Sequence, residues 1–282
     1  ETDLFDFPTV TSDCRPWLKG RAIMTCKSCN LTQRILLPEV ENTYDSIYEG
    51  YEIFKHAKAA SDQLNFGDDG VLMGRTQKVL NFLVDKFKID PKRILDIGSG
   101  SGSGLNALAE KFPKAEIYGF EPNDRPEERQ KALSSNVRKI FSERPVRTSA
   151  FELITLFHVL EHVEQLDDLL GYIKAALSND GSLIIEVPYP HVGPFDYAVA
   201  DHIWHFSKTS LFTILGRAGF AVQYIGNDVI RKELTVLANK NEHAGKQEQL
   251  QLVESDAEAI QWFKNYKSFL DEVKLNYKNL FI

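Results

Sequence analysis

The sequence predicts an α/β protein whose mostly parallel sheet closes in an antiparallel hairpin, and three observations carry that expectation. Ile94 to Gly104, ILDIGSGSGSG, reads as a buried strand, a glycine-rich turn and the start of a helix. Strand-like apolar runs then alternate with segments of helical periodicity through the middle of the chain. The last two such runs, Phe220 to Ile225 and Glu233 to Asn239, are joined by a connection too short for a helical crossover, so they must lie antiparallel.

Residues 1–70 form a first segment that holds all three cysteines, Cys14, Cys26 and Cys29. An odd number in a chain without a secretion signal argues against a disulfide framework. Cys26-Lys-Ser-Cys29 has zinc-knuckle spacing, and Cys14 could add a third thiolate to a structural zinc. Thr11 and Trp17 stand where a C-x-x-C around Cys14 would need its second cysteine, which leaves Asp13 or His56 as a fourth ligand. Reduced structural thiols are the alternative. Tyr44, Tyr48, Tyr51 and Phe54 follow at near-helical spacing. The favoured reading is a helix packing its aromatic stripe on the main domain; the other is a lid over cofactor and substrate. The turn-rich Phe66 to Gly70 marks the boundary.

The main domain, residues 71–241, opens with an amphipathic helix, Thr76 to Lys88, carrying Leu80, Leu83, Val84 and Phe87 on one face. Asp90-Pro91 stops it, because the residue before proline avoids helical geometry. In the first strand Ile94, Leu95 and Ile97 are the apolar run that a two-sided sheet buries. Asp96 is the one charge inside it. An unpaired buried carboxylate is costly, so Asp96 belongs at the strand end, accepting hydrogen bonds. Gly98, Gly100 and Gly102, with Ser99 among them, let the backbone turn tightly and approach a ligand. The helix begun by Leu105, Leu108 and Ala109 aims its free N–H groups at the same spot.

Glu116 to Glu121 is the second strand and ends in a second acid. A charged helical piece from Arg125 leads to a third strand near Val137 to Phe141, followed by Ser142-Glu143. The fourth strand, Phe151 to Phe157, runs directly into HVLEHV, His158 to Val163. Leu166, Leu169, Leu170, Ile173 and Leu177 mark a helix, and Asn179-Asp180-Gly181 turns the chain into the fifth strand, Ser182 to Val187. Pro188 and Pro190 end that strand at the edge where open α/β sheets bind ligands. DHIWHFS, Asp201 to Ser207, precedes a helix carrying Leu211, Ile214, Leu215 and Ala218, which Gly219 caps.

Two motifs can be set aside. The dinucleotide fingerprint G-x-G-x-x-G fails in both registers, at Ser103 and at Leu105. His158 to His162 spells H-x-x-E-H, but that zinc-peptidase motif needs one long helix, and here the first histidine abuts a strand. The glycine turn followed by the strand-terminal Glu121 instead resembles class I S-adenosylmethionine-dependent methyltransferases over about residues 71–241. The resemblance implies a Rossmann-like seven-stranded methyltransferase sheet with its terminal hairpin, and S-adenosylmethionine as cofactor. It implies cofactor contacts from Asp96, Gly98, Ser99, Gly100, Gly102 and Glu121, from Glu143 near the adenine, and from Phe157 and His158 at the methionine end. HVLEHV and DHIWHFS, with cysteines ahead of them, are similar to sugar methyltransferases of bacterial polysaccharide and antibiotic clusters. In those enzymes a Glu-His pair sets a histidine at the reacting carbon, and Asp201-His202 is similar with Asp for Glu. A small hydroxylated acceptor, such as a nucleotide-linked sugar, is the implied substrate.

Five of the seven histidines, at 158, 162, 191, 202 and 205, fall just after the fourth and fifth strands. Imidazole titrates near neutral pH and suits a general base. His202 ranks first, His205 next, then His158 and His162. Asp201 adjoins His202, but neighbouring side chains in an extended segment point apart, so the orienting partner should come from elsewhere, from Glu161 or a lid tyrosine. Two other function classes share these features: an NAD(P)-dependent oxidoreductase, and a non-catalytic cofactor-binding partner protein.

Composition narrows the field further. At 43% hydrophobic and 26% charged, the chain is an ordinary globular one. Its formal charge of −7 argues against a nucleic-acid binder, which would show a basic face. No apolar run approaches the roughly 18 residues of a membrane span, and no signal peptide opens the chain, so a cytoplasmic protein is expected. The chain opens at Glu1 without methionine, which leaves open that it is a piece of a longer protein. In the tail, residues 242–282, Phe263, Tyr266, Leu270, Val273, Tyr277 and Leu280 form a 3-4 seam. That seam would pack on the body or join a second copy in a homo-oligomer.

Overall fold

The structure, a computed structural model, describes residues 9–17, 23–35, 47, 64–66, 70, 72–122, 133–144 and 150–240, with 261, 264, 265, 268 and 272. The aromatic stripe, His56, the charged piece from Arg125 and the tail seam lie outside the described residues. In chain order the elements are β1 (Thr9–Val10), β2 (Pro16–Trp17), β3 (Ile23–Thr25), β4 (Thr32–Arg34), β5 (Leu64–Phe66) and β6 (Leu72–Gly74). Then come α1 (Arg75–Phe87), β7 (Arg93–Ile97), α2 (Ser103–Lys111), β8 (Glu116–Phe120), β9 (Val137–Phe141) and β10 (Phe151–Phe157). The rest are α3 (Leu166–Ala176), β11 (Leu177–Pro188), β12 (Trp204–His205), α4 (Lys208–Arg217), β13 (Phe220–Gly226) and β14 (Glu233–Lys240).

Seven strands make the central sheet in the order β13-β14-β11-β10-β7-β8-β9. β7, β8, β9, β10 and β11 pair in parallel, and β14 runs antiparallel to both β11 and β13. The terminal hairpin is thus as expected, with its second strand inserted between the first and the parallel body. Strand alternation sorts the core into two layers. Ile94, Leu153, Ile184 and Leu237 face α1 and α2, packing on Val79, Leu80, Leu83, Leu105 and Leu108. Leu95, Ile154, Leu183 and Val236 face the other way, onto Leu169, Leu170 and Ile173 of α3 and Leu211 and Leu215 of α4.

That alternation also places polar residues. Two residues on from Ile94, Leu153 and Ile184, on the same face, stand Asp96, Thr155 and Glu186. The face bearing α1 and α2 is therefore apolar in its middle and polar toward the carboxyl ends of β7, β10 and β11.

Some boundaries differ from expectation. α1 ends at Phe87, one residue short of the expected Lys88, which caps it with a left-handed φ of 56° ahead of Asp90-Pro91. Asn179-Asp180-Gly181 is a bulge inside β11, because Phe151 pairs with Leu177 while Leu153 pairs with Ser182. β5 and β6 flank the Phe66 to Gly70 stretch and pair antiparallel. The first segment is anchored on the main domain through backbone pairing. β3 and β4 extend into a three-stranded sheet with β12, and Ala200 N–H donates to Val10 C=O at 2.6 Å.

Candidate functional site

The glycine turn is built as its residue types require. Gly98, Gly100 and Gly102 have φ of 70°, 56° and 88°, a region that side chains rarely adopt. At Gly98 space is short as well, since a Cβ there would lie 2.3 Å from Val159 Cγ2. The turn is latched to β8 by Gly98 N–H on Phe120 C=O at 2.8 Å, and to Glu121 by Gly100 N–H on its Oε2 at 3.0 Å. Asp96 is buried and its Oδ1 accepts from Thr155 Oγ1 at 2.7 Å. Burial dominates its titration: despite the Thr155 hydrogen bond, the carboxyl is pushed up to about 7. Gly104, which the sequence reading used only as a helix position, leaves room for that carboxylate, since a Cβ there would lie 3.0 Å from Asp96 Oδ2. Phe157 flanks the same place, 3.9 Å from the Gly104 Cβ position. Ser99 is buried in the turn, and Glu143 is exposed just past the end of β9.

A second assembly joins β10, β11, β14 and the loop before β12. His158, directly after β10, holds a left-handed φ of 55°. Its Nε2 meets Glu186 Oε1 at 3.2 Å and Glu233 Oε2 at 3.6 Å, and its Nδ1 meets Glu161 Oε1 at 3.2 Å. Arg75, the first residue of α1, reaches the same Glu186 oxygen at 2.9 Å. Burial and the Arg75 charge oppose protonation of His158, but its contacts with Glu161 and Glu186 outweigh them and push its pKa up to about 10. Burial pushes the neighbouring Glu233 up to about 7.

The loop 194–205 completes this network. Asp196 accepts from two imidazoles at once, His202 Nδ1 at 2.5 Å and His205 Nδ1 at 2.6 Å. Burial opposes ionisation of Asp196, yet the two histidines hold its carboxyl well below the usual range. Asp201 turns away from His202, as expected, and takes Ser12 N–H at 2.7 Å and His162 Nδ1 at 3.4 Å. His162 Nδ1 also donates to Asp201 C=O at 3.0 Å, and its ring stands edge-on to that of His202, with centroids 4.6 Å apart. Burial works against a charge on His162, but Asp201 and Glu161 raise its pKa. His205 is the opposite case, because burial lowers its pKa in spite of Asp196. The loop is held from outside by buried Arg34 of β4, whose guanidinium donates to Tyr197 C=O at 3.1 Å and Val199 C=O at 2.9 Å.

Four of the expected bases therefore sit in one network, while His191 stacks on Tyr189 at 5.1 Å. Among the described residues the carboxylate on His202 Nδ1 is that of Asp196 and not Glu161; the lid tyrosines lie outside the described residues. Asp196, Glu186, Glu233, Arg34, Arg75 and Thr155 were missed from the sequence. For Glu186 a signal existed: it is a lone acid ending an apolar strand, as Asp96 is.

The cysteines are less united. Cys26 and Cys29 are near enough to hydrogen bond, and the N–H groups of Ser28 and Cys29 lower the Cys26 pKa. Among the described residues they do not form a ligand cluster with Cys14, which is exposed. The Asp13 carboxylate is taken by Arg15, at 2.8 Å, and by Thr11.

Comparison with known proteins decides the family. The methyltransferase domain profile matches residues 72–225, more than half of the chain. The chain belongs to that family. It is a class I methyltransferase domain, and the family uses S-adenosylmethionine, which fits the glycine turn and the strand-terminal Glu121. The oxidoreductase alternative is thereby set aside. The domain is 31% identical over 113 residues to a demethylmenaquinone methyltransferase of Thermus thermophilus, 37% of this chain and 51% of that protein. It is 24% identical over 168 residues to the C-methyltransferase NovU of Streptomyces niveus, 55% of this chain and 39% of that one. The match thus spans about half or less of these relatives' lengths. Among solved structures, a Burkholderia thailandensis 1,6-didemethyltoxoflavin-N1-methyltransferase with bound S-adenosylhomocysteine shares the fold. Its TM-score is 0.53 at 16% identity, covering 79% of this chain and 96% of that one. Among the described residues no helix is long and apolar enough to cross a membrane.

Proposed function

We propose that this domain transfers a methyl group from S-adenosylmethionine to a small hydroxylated acceptor, with His202 as general base. The observation that carries this reading is the Asp196–His202 pair. A buried carboxylate on Nδ1 fixes the imidazole tautomer with Nε2 as the accepting atom and stabilises the imidazolium that forms. The other histidines suit the role less well. His158 and His162 are drawn toward the charged form by their carboxylates, and a protonated imidazole accepts nothing. The His205 side chain is wholly buried.

When bound, S-adenosylmethionine supplies an electrophilic sulfonium methyl. Glu121, Gly100 and the start of α2 would hold the cofactor, and Phe157 would flank it. His202 would remove the acceptor proton as the new bond to the methyl forms, with alignment of the two reactants supplying much of the rate. A nucleotide-linked sugar is the acceptor we favour, supported by the HVLEHV and DHIWHFS resemblance and by the similarity to NovU. A structural zinc at the cysteines rests on the Cys26–Cys29 turn and would need ligands from outside the described residues. The test is transfer of labelled methyl to a panel of nucleotide sugars and quinols, with S-adenosylhomocysteine binding measured by calorimetry. Cofactor binding with turnover on a nucleotide sugar supports the proposal. Binding without turnover on any acceptor would favour the non-catalytic reading.

A further inference from the structure

One group in the network has no role in methyl transfer as described. Glu161 is 1% exposed, and neither carboxylate oxygen accepts an aligned hydrogen bond. Its nearest partner, His158 Nδ1, makes an ion-pair contact at 3.2 Å on Oε1. That contact covers Oε1 alone, and Oε2 is a buried carboxylate oxygen with no hydrogen bond among the described residues, a costly state. His162 and His202 stand near the same carboxylate. Ligand atoms of Glu161, His162 and His202 all lie within 4.8 Å of one another. His162 Nε2 is 4.0 Å from Glu161 Oε1, too long for a hydrogen bond. It is short enough for two ligand bonds of about 2.0–2.2 Å to meet at one ion.

We propose that Glu161, His162 and His202 form a site for a divalent transition metal such as zinc, in which the ion competes with proton transfer at His202. The donor set, two imidazoles and one carboxylate, is the one that borderline ions prefer. Both histidines are also oriented as metal ligands usually are, with the second ring nitrogen on a carbonyl or carboxylate. His162 gives Nδ1 to Asp201 C=O at 3.0 Å, and His202 gives Nδ1 to Asp196 at 2.5 Å, so each presents Nε2. Electrostatics favour a cation there. Beside Glu161 itself, the Asp196 carboxylate lies on His202 and the Asp201 carboxylate on His162. The site is not the H-x-x-E-H pattern, because both ring nitrogens of His158 are engaged by Glu161 and Glu186 and the third ligand comes from the loop before β12.

The competition with catalysis rests on the base assigned above; the site itself does not. Metal uptake is read with cobalt(II), whose visible bands report nitrogen and oxygen ligands, while thiolates add a near-ultraviolet charge-transfer band. Wild type and a Cys26→Ser/Cys29→Ser variant are compared. The expected result is one cobalt bound without the thiolate band in the cysteine variant, weakened roughly tenfold or more by Glu161→Gln and by Asp196→Asn. Methyl transfer should fall in step with occupancy and return on chelation. Uptake indifferent to Glu161→Gln and His162→Gln, or loss of all uptake with the cysteines, would overturn the site. Methyl transfer that requires the metal would overturn the competition. S-adenosylhomocysteine binding to the metal-free protein is measured in parallel, so failure of the methyltransferase reading registers there and failure of the site registers in uptake.

Discussion

The two halves of the site are made in different ways. The glycine turn lies within one strand–turn–helix–strand unit, Asp96 to Glu121, and its key contacts are backbone hydrogen bonds and left-handed glycines. The histidine network draws on α1, β10, β11, β14 and the loop 194–205, and it is clamped by Ser12 and Arg34 of the first segment. The first depends on residue types at fixed local spacing. The second depends on the tertiary fold and is a closed set of charges, in which removing one member strands the others.

The largest expected effect breaks the second half and spares the first. His202→Asn should lower turnover by roughly two to four orders of magnitude. Asp196→Asn should lose a comparable amount, because it frees both His202 and His205 from their orienting carboxylate. Steady-state kinetics checks this, and near-native turnover in His202→Asn would return that histidine to a packing role.

A second substitution strikes the first half through its backbone. Gly98→Ala puts a side chain at φ 70° and within 2.3 Å of Val159. A left-handed side chain costs about 1–2 kcal/mol and overpacking about 1–3 kcal/mol more. Thermal melting should therefore drop markedly. An unshifted melt would mean that the turn relaxes freely.

The third prediction uses pH to tell the halves apart. The folded-state pKa of His158 lies above its unfolded value, so its contribution to stability is complete below about 6.5 and is lost as pH rises toward about 10. Denaturation from neutral to alkaline pH should show that decline in wild type. The decline should be shallower in His158→Gln, and equal slopes would contradict a charged His158. The smallest effect belongs to Glu143, which is exposed at the sheet edge. Glu143→Ala should weaken S-adenosylhomocysteine by about 0.5–1.5 kcal/mol if its carboxylate accepts one hydrogen bond from the adenine end. No change would remove it from the cofactor contacts.

Legibility followed the same division. Strand β10, Phe151–Phe157, was readable residue for residue, since a dense apolar run with β-branched and aromatic side chains has one comfortable home in a parallel sheet. The antiparallel β14 followed from the length of its connection. The bulge at Asn179-Asp180-Gly181 was not, because those residues favour a turn locally and only pairing with β10 and β14 keeps them in the strand. In the site, Asp96 and Glu121 were visible as acids ending apolar strands. Asp196 was not, because GPFDYA carries no periodicity, and its importance arises only when the loop folds back onto His202 and His205.

The central claim is that cofactor holding and proton transfer reside in separable halves, and calorimetry on two variants tests it most directly. S-adenosylhomocysteine is titrated into wild type, Glu121→Ala and His202→Asn, each first shown to melt cooperatively. Affinity should fall roughly ten- to hundredfold in Glu121→Ala, the worth of a charged hydrogen bond, and stay within about twofold of wild type in His202→Asn, within the scatter expected for a residue outside the cofactor contacts. Undiminished affinity in Glu121→Ala, or an equal loss in both variants, would contradict it.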